Sequence, residues 1–147
     1  MIDLENVFFL LLPSLTGYIA SFNCKVGHNA GEKILARPPS WVFGVVWPIL
    51  YLLLGVVWLI LRNNNNKQTI DILMSLNLLL LVSWIVVYGC MNKKRIALYI
   101  LLGILVVGLM IFGDAWSQNK IAGILVTPFI AWIIFATMLN YTEVNQN

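Results

Sequence analysis

Five long apolar segments constrain this chain more than any other feature. Each is close to the ~20 residues that cross the hydrocarbon core of a bilayer. Within them only Asp71 and Asp114 are charged, and both lie at segment ends. We therefore predict an all-α integral membrane protein, a bundle of five transmembrane helices in a single domain over residues 1–147. The predicted helices cover approximately residues 7–22, 41–61, 70–91, 96–116 and 121–141.

The composition supports a membrane protein and gives no sign of nucleic-acid binding. The chain is 61% hydrophobic and 10% charged, whereas a soluble domain carries roughly 25% charged residues. The net charge of +3 is small, and the basic residues lie in loops. Cys24 and Cys90 form neither a C-x-x-C pair nor a disulfide framework, so we expect two free thiols.

The ends of the segments predict an orientation. Asp3 and Glu5 stand where a signal peptide would be basic, so the first segment is expected to remain as a helix. Six basic residues lie on the side of the long first loop, residues 23–40, against three on the other side. This bias predicts that the loop and the carboxyl terminus face the cytoplasm. A bacterial cytoplasmic or outer membrane and a mitochondrial outer membrane all stay open.

The residue types exclude several chemistries. The one histidine, His28, is in a loop, no helix carries paired carboxylates, and there is no glycine-rich phosphate loop. We therefore predict no catalytic residues, no metal ligands and no nucleotide-driven pumping. Pumps and proton-coupled transporters place ionisable groups at membrane depth, which this chain lacks.

An aromatic stripe in the second segment indicates a binding surface. Phe43, Trp47 and Tyr51 recur every fourth residue and therefore share one helix face. Gly55 continues the stripe without a side chain and is expected to leave room beside the rings. A helix needs no such stripe to cross a membrane, so the pattern favours a flat, apolar binding site.

Two other segments offer candidate site residues. The amide of Asn77 must find a partner in lipid, and either a neighbouring helix or a ligand satisfies that need. In the fifth segment Trp132 follows Pro128 by four residues, and Ala136 and Leu139 lie on the same face. That face either forms a slot beside the tryptophan or packs ordinarily against another helix.

Two motifs carry a family resemblance. PPSWVFGVVWPILYLLLG, from Pro38 to Gly55, and PFIAWIIFATMLNY, from Pro128 to Tyr141, are similar to the signatures of the TspO/MBR family of translocator proteins, also called peripheral benzodiazepine receptors. Pro13-Ser14-Leu15 with Gly17, and Leu76-Asn77, resemble shorter motifs of the first and third helices.

The resemblance implies a five-helix bundle, often a homodimer, whose long first loop caps a pocket. Family members bind porphyrins such as protoporphyrin IX, isoquinoline carboxamides and benzodiazepines. We therefore expect a porphyrin (protoporphyrin IX or heme) as ligand, with no required cofactor. The macrocycle would stack on Trp47 and Trp132, and its propionates would reach Lys33 or Arg37. The implied ligand-binding residues are Phe43, Trp47, Tyr51, Asn77, Trp132, Ala136 and Leu139, with a lid containing Lys33, Arg37, Pro38 and Pro39.

The chain also departs from the family pattern. The family's third helix carries a tryptophan close to its asparagine, whereas here Trp84 lies seven residues after Asn77. The family's cholesterol motif needs a basic residue after the final tyrosine, and none follows Tyr141. We therefore do not expect specific cholesterol binding.

These observations predict a membrane-embedded binding protein for porphyrin-like tetrapyrroles, acting as sensor, carrier or scavenger. An enzyme that degrades porphyrins with light or oxygen is the first alternative, although we expect binding without turnover. A structural membrane protein that assembles with partners, or a sterol-binding translocator, is the second.

Overall fold

The computed structural model of the protein describes residues 4–23, 40–63, 67–91 and 93–146. These residues form five α-helices and one π-helical turn, and the predicted all-α five-helix membrane bundle is confirmed. In chain order the elements are α1 Leu4–Asn23, α2 Ser40–Arg62, α3 Lys67–Ile85, the π-turn Val86–Cys90, α4 Lys94–Gln118 and α5 Lys120–Gln146.

The helices extend beyond the apolar segments that predicted them. Helix α5 continues to Gln146, five residues beyond the predicted end, and α3 begins at Lys67 instead of residue 70. Hydropathy marks only the part of a helix that lies in hydrocarbon, while backbone hydrogen bonding continues through the polar residues at either end.

The chain is a multi-pass integral membrane protein. The apolar stretch of α1 is shorter, Val7–Gly17, than those of the other four helices. Large apolar side chains such as Val106, Met110 and Met138 face outward, as expected for a surface in contact with lipid. The four helices of spanning length and composition contain the stretches Val45–Arg62, Lys67–Cys90, Lys94–Gln118 and Lys120–Thr142.

The core lies where α2, α3, α4 and α5 meet. Helix α4 packs along α5 and α3, and α2 packs against both α1 and α5. Trp58 of α2 and Phe129 of α5 are the largest fully buried side chains, and aliphatic residues fill the space between the helices. Such interdigitated packing fixes the helices relative to one another, and so fixes the side chains that they carry.

Two glycines bring α1 close to α2. A Cβ atom on Gly55 would overlap the backbone carbonyl of Leu10, and one on Gly17 would overlap the ring of Tyr51. The missing side chain of Gly55 thus admits the backbone of α1. The prediction that Gly55 leaves room beside the aromatic rings is therefore wrong, because a neighbouring helix occupies that room.

The cysteine prediction also needs correction. Cys90, the last residue of the π-turn, is disulfide-bonded. The expectation of a free thiol is wrong for this residue, because distance along the chain does not limit distance in the folded bundle. Cys24 lies outside the described residues.

Candidate functional site

Five aromatic side chains from three helices form one continuous cluster. Trp47 is its centre, with its ring centroid 5.6 Å from that of Tyr51, 5.8 Å from Trp84 and 6.2 Å from Trp132. Trp84 in turn stacks on Tyr88 at 5.0 Å. We call these five residues the aromatic cluster. It lies in the half of the bundle that contains the start of α2 and the end of α3.

The α2 part of the aromatic cluster follows the predicted stripe. Trp47 and Tyr51, one turn apart, stack with an angle of 29° between their rings. Tyr51 is 4% exposed because α1 covers it at Gly17, whereas Trp47 is only half-buried. Phe43 belongs to α2, but its side chain lies outside the described residues. Trp47 is therefore the more accessible of the two rings.

Trp84 and Tyr88 of the third helix were absent from the predicted site. Both are buried, and their rings stack with an angle of 27° between them. The π-turn widens the end of α3, where the Met91 amide donates to the Val86 carbonyl oxygen at 3.0 Å. The i, i+4 spacing of two large aromatic residues in one segment is the signal that indicates their shared face.

Asn77 is fully buried and its amide makes no hydrogen bond in the described part of the chain. Its exposed fraction is 0%, and neither Nδ2 nor Oδ1 has a partner there. The Nε1 atom of Trp84, seven residues later on the same face of α3, is likewise buried without a hydrogen bond to any described residue. Because most buried polar atoms in proteins are paired, these three atoms make this face of α3 a candidate site for a ligand or water.

Two threonine hydroxyl groups of α5 have hydrogen-bond partners within their own helix. Thr127 Oγ1 donates to the Gly123 carbonyl oxygen at 3.1 Å, and Thr137 Oγ1 donates to the Ile133 carbonyl oxygen at 2.7 Å. Each bond returns to the preceding turn of the same helix, so these hydroxyls need no external partner. A buried polar atom without a hydrogen bond to a described residue also occurs on α5, at Asn140 Oδ1, but the face of α3 with Asn77 and Trp84 carries three such atoms.

Helix α5 supplies the remaining predicted residues. Trp132 is half-buried and also contacts Phe135 at 5.2 Å, while Ala136 and Leu139 are buried in the core. The lid residues Lys33, Arg37, Pro38 and Pro39 lie outside the described residues. Within the described part of the chain, no group of three His, Cys, Asp or Glu side chains is placed to hold a metal ion.

The opposite end of the bundle carries a cluster of charged residues. Arg62 of α2 pairs with Glu5 of α1 at 2.7 Å and with Asp71 of α3 at 3.2 Å. Asp71 also accepts a hydrogen bond from Trp58 Nε1 at 2.8 Å, and Lys67 lies 3.7 Å from Glu5. We call these five residues the polar cluster. The Arg62 side chain is 6% exposed, so the carboxylates replace the water that its guanidinium gives up.

Comparison with known proteins identifies the family. The TspO/MBR family model matches residues 7–144. The chain is 27% identical over 146 residues to the tryptophan-rich protein TspO of Archaeoglobus fulgidus, with 94% of each chain covered. It is 32% identical over 153 residues to the translocator protein of Homo sapiens, covering 95% of this chain and 88% of the human protein. The translocator protein of Bos taurus is 27% identical over 150 residues, with 95% and 88% covered. The chain belongs to the TspO/MBR family.

Proposed function

We propose that the protein binds porphyrin-like tetrapyrroles, protoporphyrin IX among them, within the membrane. The observation that carries the proposal is the aromatic cluster, together with the buried amide of Asn77 on the face of α3 that also carries Trp84. Flat aromatic ligands stack on aromatic rings, and apolar sites use a few placed polar groups to orient them. The rings and the amide supply these two requirements.

The accessible rings suggest how a macrocycle is held. Tyr51, Trp84 and Tyr88 are buried, whereas Trp47 and Trp132 are half-buried and present edges and faces to an incoming ligand. The Trp47 and Trp132 rings are nearly perpendicular, at 89°. A planar ligand stacked on one ring therefore meets the edge of the other, which is a favoured aromatic arrangement. Asn77 then supplies a hydrogen-bond donor and an acceptor from α3.

The orientation and assembly of the protein belong to the same proposal. The end of the bundle with the aromatic cluster also carries exposed Lys93 and Arg95, which supports a cytoplasmic position for that end and for the carboxyl terminus. Assembly as a homodimer is carried over from the family resemblance. Binding from the cytoplasmic side suits a sensor, carrier or scavenger.

The test is a titration of detergent-purified protein with protoporphyrin IX in the dark, followed by the visible absorbance of the porphyrin. We expect saturable binding that weakens about tenfold in Trp47→Ala and in Trp132→Ala, because each change removes a stacking surface. Trp116→Ala is the matched control, since Trp116 is exposed on α4 and stacks only on Phe112 among the ring pairs described. If none of the three changes alters the affinity for protoporphyrin IX, the proposal is not supported.

A second candidate is porphyrin breakdown driven by light and oxygen. The observation that favours it is the contact of Trp47 with two other indole rings, which places oxidisable groups against the proposed ligand. Illuminating the loaded protein in air tests this candidate by the loss of porphyrin absorbance and the appearance of a product. Loss that is abolished in Trp47→Phe favours an enzyme, and equal loss in wild type and variant favours a binding protein.

A further inference from the structure

A lysine side chain caps the aromatic cluster at its outer end. The Nζ atom of Lys94 lies 3.5 Å from the ring centroid of Tyr88, within the range of a cation–π contact. Tyr88 is 3% exposed and stacks on Trp84, which contacts Trp47. The positively charged ammonium group of Lys94 therefore lies at the outer end of the aromatic cluster.

Three elements hold this lysine in place. The π-turn closes with the Lys93 amide donating to the Val87 carbonyl oxygen at 3.0 Å, immediately before α4 begins at Lys94. From α5, Asn140 Nδ2 donates to the Lys94 carbonyl oxygen at 2.8 Å, and Asn140 is itself buried. Because α3, α4 and α5 all fix its backbone, the position of Lys94 relative to the aromatic cluster is built into the fold.

The charge distribution separates this end from the other. The carboxylates whose side chains the structure describes, Glu5, Asp71 and Asp114, lie in the half of the bundle that holds the polar cluster. Lys94 instead stands between exposed Lys93 and Arg95. Glu143 also belongs to the end of α5 on this side, but Lys93, Lys94 and Arg95 outnumber it, so an anionic group that arrives at the aromatic cluster meets a net positive charge.

We propose that Lys94 is the residue that recognises the carboxylate substituents of the tetrapyrrole. This inference rests on the proposed function, and it names the charged partner of the same site. With the macrocycle among the rings, a propionate at its edge reaches the ammonium of Lys94 at the membrane boundary. The ion pair forms there without burying a carboxylate in lipid. The rings then recognise the planar macrocycle, and Lys94 recognises its charge.

The experiment compares two porphyrins that share a macrocycle and differ in charge. Protoporphyrin IX carries two carboxylates, and its dimethyl ester carries none. Both are titrated in a neutral detergent without lipid, so that anionic headgroups do not compete. We expect Lys94→Met to weaken binding of the diacid about fivefold and to leave binding of the diester unchanged. Lys94→Arg keeps the charge, so this variant is expected to retain most of the wild-type preference for the diacid over the diester.

Two matched controls remove the same charge from neighbouring positions. Lys93→Met and Arg95→Met alter exposed residues and are expected to leave the ratio of diacid to diester affinity unchanged. If Lys94→Met does not fold, Lys94→Gln takes its place. The salt dependence of diacid and diester binding to the wild-type protein is then measured as well. The wild-type preference for the diacid must then shrink as salt rises, because screening weakens the ion pair.

The outcomes separate this inference from the proposed function. Saturable binding of both porphyrins with equal affinity, or equal weakening of both by Lys94→Met, overturns the role of Lys94 and leaves porphyrin binding intact. Saturable binding of neither porphyrin by the wild-type protein overturns the proposed function, and the role of Lys94 with it.

Discussion

The two halves of the helix bundle both bury polar atoms, but they differ in how completely those atoms are paired. In the polar cluster Arg62 meets two carboxylates, and Trp58 Nε1 donates to Asp71. Toward the other end Asn140 Nδ2 donates to the Lys94 carbonyl oxygen, but the polar atoms of Trp84, and of Asn77 near the middle of α3, bond to no described residue. Polar groups in a low-dielectric interior stabilise a fold when they are satisfied and cost free energy when they are not. The polar cluster therefore holds the helices together, whereas the unpaired atoms of Asn77 and Trp84 cost the fold free energy.

Removing the centre of the polar cluster should have the largest effect on stability. Arg62→Met leaves the Asp71 carboxylate and the Glu5 carboxylate without their shared cation. We expect the free energy of unfolding in detergent to fall by about 3 kcal/mol, because the change removes a buried guanidinium that pairs with two partly exposed carboxylates and lies 3.7 Å from the Phe9 ring centroid. Lys67→Met is the control, because Lys67 is 57% exposed and its loss costs less than about 0.5 kcal/mol. Equal effects of the two changes would show that Arg62 does not organise this end.

The close contact between α1 and α2 should have the second-largest effect on stability. Gly55→Ala places a methyl group against the Leu10 carbonyl and forces α1 away from α2. We expect the free energy of unfolding to fall by about 2 kcal/mol, because the added methyl group overpacks a tight contact. In Gly113→Ala the new Cβ atom meets nothing within 4 Å. That change should be neutral or stabilise α4 by about 0.5–1 kcal/mol, and a similar loss in both variants would refute close helix packing at Gly55.

The smallest predicted change in stability has the opposite sign. Asn77→Leu replaces an unpaired amide with an apolar side chain of similar size. The free energy of unfolding should rise by about 1 kcal/mol, because two buried polar atoms no longer lack partners. Binding of protoporphyrin IX should weaken in the same variant, which separates stability from function. A loss of stability above about 1 kcal/mol would instead mean that the amide supports the fold.

The sequence predicted the helices better than it predicted their neighbours. Uncharged apolar length sufficed to place five spans, and the spacing of Trp47 and Tyr51 sufficed to place their rings on one face. Periodicity within a helix says nothing about which helix lies opposite. For that reason the prediction that Gly55 leaves room beside the aromatic rings is wrong: the backbone of α1 fills that space.

The parts of the candidate site that were missed depend on contacts between helices. Trp84 and Tyr88 join Trp47 only because α3 packs beside α2 and ends in a π-turn, and neither fact is encoded in local hydropathy. Arg62 and Asp71 were visible only as charges at the ends of segments. Their pairing with each other and with Glu5 needs the antiparallel arrangement of three helices.

The membership of the polar cluster has a consequence for the order in which the protein is assembled during synthesis. Arg62 and Asp71 are nine residues apart, and Glu5 precedes Arg62 by 57 residues, so all their pairings are complete once α3 has been made. The aromatic cluster needs Trp132, which arrives only with α5. Since chains begin to organise from the amino terminus as they are made, the first three helices have what they need to lock together early. The aromatic cluster is then completed last, when the final helix inserts.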